Sequence, residues 1–80
     1  MNITIIAYGI AKDLLGSKHL ELEVEQGADI SMLKKALFQR YPDFQKLKSL
    51  SFAVSEQYRE DSYEIHEQDE VVIIPPVSGG

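Results

Sequence analysis

The chain has 80 residues, 44% of them hydrophobic and 26% charged, with a formal charge of −5. That is the balance of one ordinary globular domain, which at this size buries roughly 60% of its unfolded surface. The charge argues against a nucleic-acid partner, whose phosphates would repel it, and the absence of cysteine removes disulfides, thiolate nucleophiles and the commonest zinc ligands. No apolar run reaches the roughly 18 residues that span a bilayer, and Met1-Asn2-Ile3-Thr4 lacks the basic start of a signal peptide. The expectation is a cytoplasmic domain with no membrane attachment.

Residues Asn2 to Tyr8 alternate, Ile3, Ile5 and Ala7 against Thr4, Ile6 and Tyr8, which predicts a strand apolar on both faces. Gly9 breaks it. Ile10 to Leu15, closed by Gly16, reads as a connection with at most one helical turn, its two leucines plugging one end of the core. From Lys18 to Gln26, Leu20, Leu22 and Val24 alternate with Glu21, Glu23 and Glu25, giving a strand with one wet face. The three glutamates read as solvated charge, not as catalytic carboxylates.

Asp29 is a good N-cap for a helix running through Tyr41 and stopped by Pro42. Ile30, Leu33, Leu37 and Tyr41 recur at helical spacing, so one stripe must pack on a flat surface, while Lys34, Lys35, Gln39 and Arg40 face water. Asp43 to Leu50 is polar and poorly periodic; Phe44, Leu47 and Leu50 read as a loose turn that seals the far end of the helix. Phe52-Ala53-Val54 predicts a strand, Ser55 to Asp61 a polar hairpin region, and Tyr63-Glu64-Ile65 a short strand before the closing strand Val71 to Ile74.

One helix covers one face of a sheet. The first and last strands, apolar on both faces, belong side by side and parallel at its centre. Ile3, Ile5, Val71 and Ile73 then meet the helix, and Ile6, Tyr8, Val72 and Ile74 remain on the uncovered face, a patch that reads as a protein interface.

Beyond Ile74, Pro75 and Pro76 cannot donate to a ladder and favour an extended spacer, and Val77-Ser78-Gly79-Gly80 narrows to a tip without side chains. Two terminal glycines alone are ordinary at a frayed end. A buried strand, a stiff spacer and a bare tip in that order are not, so the Gly80 carboxylate is expected to be the working group. Competing chemistry is thin: His19 and His66 are isolated, no phosphate loop occurs, and Ser31, His66 and Asp69 lack any nucleophile elbow. No metal site and no bound cofactor are expected.

The ending Pro75-Pro76-Val77-Ser78-Gly79-Gly80, after Asp69-Glu70-Val71, is similar to that of the molybdopterin synthase small subunits, a family of ubiquitin-like sulfur carriers. Tyr8 to Gly16 is similar to that family's segment after the first strand, and Asp29 to Pro42 resembles its helix ending in Arg-Tyr-Pro. The resemblance implies an α+β, β-grasp fold: a mixed sheet of four to five strands with one main helix on one face, over residues 1–75, followed by a tail, 76–80. It implies that an activating enzyme related to ubiquitin E1s uses ATP to adenylate Gly80 and that a persulfide donor replaces AMP to leave a thiocarboxylate. The tail, with Gly79 and Gly80 at its tip, then enters the large subunit of a heterotetrameric synthase and gives sulfur to cyclic pyranopterin monophosphate, forming the molybdopterin dithiolene of the molybdenum cofactor. The carrier is thus a sulfur-donor subunit, not itself catalytic. Tyr8 and Ile74 carry over as contacts with the large subunit; Ile6, Val72, Pro75, Pro76, Val77 and Ser78 complete the expected partner-binding set. A carrier for tRNA thiolation or thiamine, a modifier joining Gly80 to lysines, and an inert interaction module are the other readings. Two positions depart from the family pattern: Gln68 where glycine is usual, a costly residue if its φ is positive, and Ser55 where asparagine is frequent.

Overall fold

A computed structural model of the chain describes residues 1–47 and 50–75. In chain order they form β1 (Asn2–Ala7), α1 (Gly9–Leu15), β2 (His19–Glu23), α2 (Ile30–Arg40), a 3-10 helix (Pro42–Lys46), β3 (Ser51–Val54), β4 (Gln57–Arg59) and β5 (Glu70–Ile74). The strands make one sheet in the order β2-β1-β5-β3-β4. β1 and β5 pair in parallel, Ile5 opposite Val71 and Ala7 opposite Ile73, while the other three pairings are antiparallel. The two strands that are apolar on both faces therefore occupy the middle, as their patterning predicts.

α2 supplies the second layer. The Asp29 carboxylate accepts the Met32 backbone N–H at 3.0 Å and the Ser31 hydroxyl at 2.7 Å, which caps the helix and holds the Asp29 carboxyl below its ordinary pKa. Arg40 is the last helical residue, Tyr41 the C-cap, and Pro42 opens the 3-10 helix. Ile30, Leu33 and Leu37 are fully buried together with Ile3, Ile5, Ala7, Val71 and Ile73 of the sheet. Phe44, carried by the 3-10 helix, has no exposed surface, so the expected seal at the far end of α2 is present, built as a 3-10 helix rather than a loose turn. α1 runs nearly two turns and ends on Gly16 in the left-handed conformation, φ 81°. Its Leu15 is buried and Leu14 packs against the same cluster.

Two expectations need correction. The hairpin after β3 is tight, with Ser55 (φ 54°) and Glu56 (φ 65°) both left-handed between Val54 and Gln57. β4 therefore lies inside the stretch expected to be a polar hairpin region. The strand expected at Tyr63-Glu64-Ile65 is absent from the sheet; Glu64 makes one isolated bridge to Asp29. Its backbone is used elsewhere. The Tyr63 carbonyl accepts the Ile30 N–H at 3.1 Å, the Asp61 carbonyl accepts the Ser31 N–H at 3.0 Å, and the Ile65 N–H donates to the Ala28 carbonyl at 2.8 Å. The first two bonds satisfy free donors at the start of α2 and the third ties the segment to the residue before its cap, while Ile65 sits in the core at 1% exposure. Gln68 is not among the non-glycine residues with positive φ, so its turn tolerates a side chain.

Candidate functional site

Strand pairing fixes which side chains share the face away from α2. Reading across the sheet, His19 of β2 lies opposite Ile6 of β1, Ile6 opposite Val72 of β5, Val72 opposite Ala53 of β3 and Ala53 opposite Tyr58 of β4. One row thus crosses all five strands, about 19 Å from end to end at the usual strand spacing. Ile6 and Val72 are half-buried, and Tyr58 is 71% exposed. Among the described residues, α2 packs against the alternate positions of these strands, Ile5, Val71 and Ile73, on the opposite face.

The row continues toward the carboxyl ends of β1 and β5. Ile74, half-buried, lies opposite Ser51, and Tyr8, 50% exposed, follows β1 with the Lys18 ammonium 5.2 Å from its ring centroid. Ile10, also exposed, stands beyond it on α1. Gly9 has φ +57°, a conformation that any Cβ would strain, and a Cβ built there would meet Pro75 Cγ at 3.9 Å. Gly9 therefore lies beside Pro75, the last described residue of the chain.

Ile6, Tyr8, Val72 and Ile74, singled out from the sequence, do share this face, with Pro75 at its edge. Pro76, Val77, Ser78, Gly79 and Gly80 lie outside the described residues. Tyr58 and Ala53 were not anticipated. The signal for Tyr58 was the alternation Phe52, Val54 against Ala53, carried around a two-residue turn; Ser55-Glu56 lacks the Asn-Gly signature that marks such turns.

The remaining polar groups have structural roles. Asp69 accepts the His66 backbone N–H at 2.9 Å and the Tyr63 hydroxyl at 3.2 Å; partial burial, then the neighbouring Asp69 charge, pushes the Tyr63 phenol above its ordinary pKa. Ser31 donates to Asp29 rather than to His66, so Ser31, His66 and Asp69 form no triad. Lys34 pairs with Asp61 at 3.0 Å. Among the described residues no group of three or more His, Asp or Glu could hold a metal ion, and no helix is long and apolar enough to cross a membrane. A shallow groove of about 410 Å³ beside Val72, lined by Ser55, Glu56, Gln68, Asp69 and Glu70, is acidic and open. What the arrangement offers is a half-buried apolar surface that ends beside Pro75.

Comparison with known proteins agrees over the whole chain. The ThiS family profile matches residues 5–80. The molybdopterin synthase sulfur carrier subunit of Arabidopsis thaliana is 30% identical over an alignment covering all of this chain and 84% of that protein. Among solved structures, SAMP1 from Haloferax volcanii superimposes with a TM-score of 0.85 at 17% identity, covering 100% of both chains. The Helicobacter pylori complex of subunits 1 and 2 of molybdopterin-converting factor contains a chain that superimposes with a TM-score of 0.70 at 17% identity, again covering 100% of both. At that identity the structural likenesses speak for the ubiquitin-like β-grasp fold alone. The family profile and the full-length relative go further: this chain belongs to the ThiS family and is similar throughout to molybdopterin synthase sulfur carrier subunits.

Proposed function

We propose that this protein is the sulfur carrier subunit of a cytoplasmic molybdopterin synthase. The observation that carries the proposal is the uncovered apolar row, Ile6, Val72 and Tyr58 with Tyr8 and Ile74 beside it, which leads directly to Pro75 and so to the Gly-Gly ending. A carboxylate is a poor electrophile, so a carrier of this kind must first be activated. A Gly80 carboxylate oxygen attacks the α-phosphorus of ATP on an activating enzyme related to ubiquitin E1s, and pyrophosphate leaves. The terminal sulfur of a persulfide then attacks the Gly80 carbonyl carbon and AMP leaves; a second thiol attacks the donor-side sulfur of the resulting acyl disulfide, which frees the thiocarboxylate and leaves a disulfide on the donor. Docked on the large subunit, the tail presents that sulfur to cyclic pyranopterin monophosphate for the dithiolene. No cysteine is needed on the carrier, since the chain end holds the sulfur.

A second reading is a ubiquitin-like modifier that joins Gly80 to lysine amines, which the fold shared with SAMP1 fits equally. Intact mass separates the two after incubation with an activating enzyme, ATP and a persulfide donor. Exchange of one oxygen for one sulfur on the chain, together with dithiolene formation when the large subunit and substrate are added, is the expected result. Lysine-linked adducts with no such exchange favour the modifier, and an unchanged mass overturns both. Removing Gly80 is expected to abolish sulfur transfer while leaving docking within about twofold of wild type, since the docking residues lie on the sheet.

A further inference from the structure

The outward face is electrostatically one-sided along the strands. Two residues before the apolar row, on the side away from Pro75, Glu21 of β2 lies opposite Thr4, and Thr4 lies opposite Glu70 of β5. One step further, Glu23 lies opposite Asn2. All three carboxylates are exposed, and successive rows are about 7 Å apart. On the other side of the apolar row, toward Pro75, the outward strand positions hold Ile74 and Ser51, followed by Tyr8 with Lys18 over its ring. Every carboxylate at an outward strand position therefore lies on the side away from Pro75.

An apolar stripe running across the strands, with exposed His19 and Tyr58 at its two ends, is nearly indifferent to a half-turn about the sheet normal. Hydrophobic burial carries no direction; opposed charges do, because a like-charge juxtaposition costs more than the correct pairing gains. We propose that the glutamates Glu21, Glu23 and Glu70 set the direction of docking. The partner surface then carries an apolar strip with lysine or arginine side chains about 7 to 14 Å to one side of it. The pocket that receives residues 76–80 lies on the opposite side. Only in that orientation does the chain end face the reacting centre. The inference rests on the carrier reading above and names the chemistry of its partner, the synthase large subunit.

The test is the association rate of the full-length chain with the large subunit, measured by stopped flow from low to physiological salt. Glu21→Lys/Glu70→Lys is compared with Glu25→Lys/Glu64→Lys, which changes net charge equally at exposed positions outside the outward rows. The row variant is expected to associate at least about tenfold more slowly at low salt and to lose most of its salt dependence, while the control stays within about threefold of wild type. Circular dichroism of both variants verifies the fold. Equal rates for the two variants, whether both near wild type or both reduced, overturn the inference and leave the carrier reading intact. A wild-type chain that does not bind the large subunit overturns the carrier reading and the inference with it.

Discussion

Ile73 and Ile74 are neighbours on one strand, identical in chemistry, and opposite in use. Ile73 points at α2 and has no exposed surface, whereas Ile74 points the other way and is half-buried beside Tyr8 and Pro75. The same division runs through Ile5 and Ile6 and through Val71 and Val72. A pleated strand sends successive side chains to opposite faces, so one β-branched sequence builds a core on one side and leaves a half-buried apolar surface on the other. A single helix makes this possible, because it has width enough for one face. Hydrophobicity alone does not distinguish the two jobs; register does.

The sharpest break in that comparison comes from truncation on the inner face. Ile5→Ala is expected to lower stability by about 2 to 5 kcal/mol, read as a shift in the urea midpoint. For a small domain that is a large share of the total. On the outer face, Tyr58→Ala is expected to weaken binding to the synthase large subunit by about tenfold, the loss of an exposed aromatic anchor at the end of the row, while moving stability by no more than about 0.5 kcal/mol. Calorimetric titration and urea melts on the same preparation measure both. Equal loss of stability for the two variants would erase the distinction between the faces.

Smaller effects sharpen the boundaries of the two regions. Ser55 and Glu56 hold positive φ in the β3–β4 turn, a conformation that costs ordinary side chains about 1 kcal/mol or more each. Glu56→Gly is expected to raise stability by about 1 kcal/mol, seen as a higher urea midpoint with unchanged affinity for the partner. The Asp29 cap gives a pH signature. Its carboxyl is held below the ordinary value by the Ser31 hydroxyl and then the Met32 N–H, so its contribution is present above the unfolded pKa and fades as pH falls through the lowered folded one. Asp29→Asn keeps an acceptor for the cap but cannot titrate, and is expected to flatten the acid side of the stability profile by a small amount. An unchanged profile would remove Asp29 from the account.

Most of the architecture was legible because its signals are local and periodic. Alternation in residues 2–8 and 71–74, the Asp29 cap, the Ile30-Leu33-Leu37 stripe and the Pro42 stop each carry their own physical cause, and their agreement places β1 beside β5 under α2. What escaped was decided by tertiary partners. Tyr63-Glu64-Ile65 has the composition of a strand, yet this segment accepts and donates at the start of α2, so it cannot also join the sheet. β4 was hidden by an irregular turn, and Tyr58 with it. The seal at Phe44 was legible but its form was not, because a five-residue 3-10 helix has no long period to read. The outward face was legible as far as Ile6, Tyr8, Val72 and Ile74, which follow from strand phase; its extension to β4 follows from pairing, which phase does not specify.

The division of labour is tested most directly by one pair of substitutions at adjacent positions, Ile73→Asp and Ile74→Asp, assayed for fold by circular dichroism and for affinity to the large subunit by calorimetry. Ile73→Asp is expected to abolish folding, since it buries an unpaired charge under α2. Ile74→Asp is expected to fold with a near wild-type spectrum and bind at least about 100-fold more weakly, a difference of about 2.7 kcal/mol. An Ile74→Asp chain that binds the large subunit as tightly as the wild type would contradict the claim that the uncovered face is the docking surface.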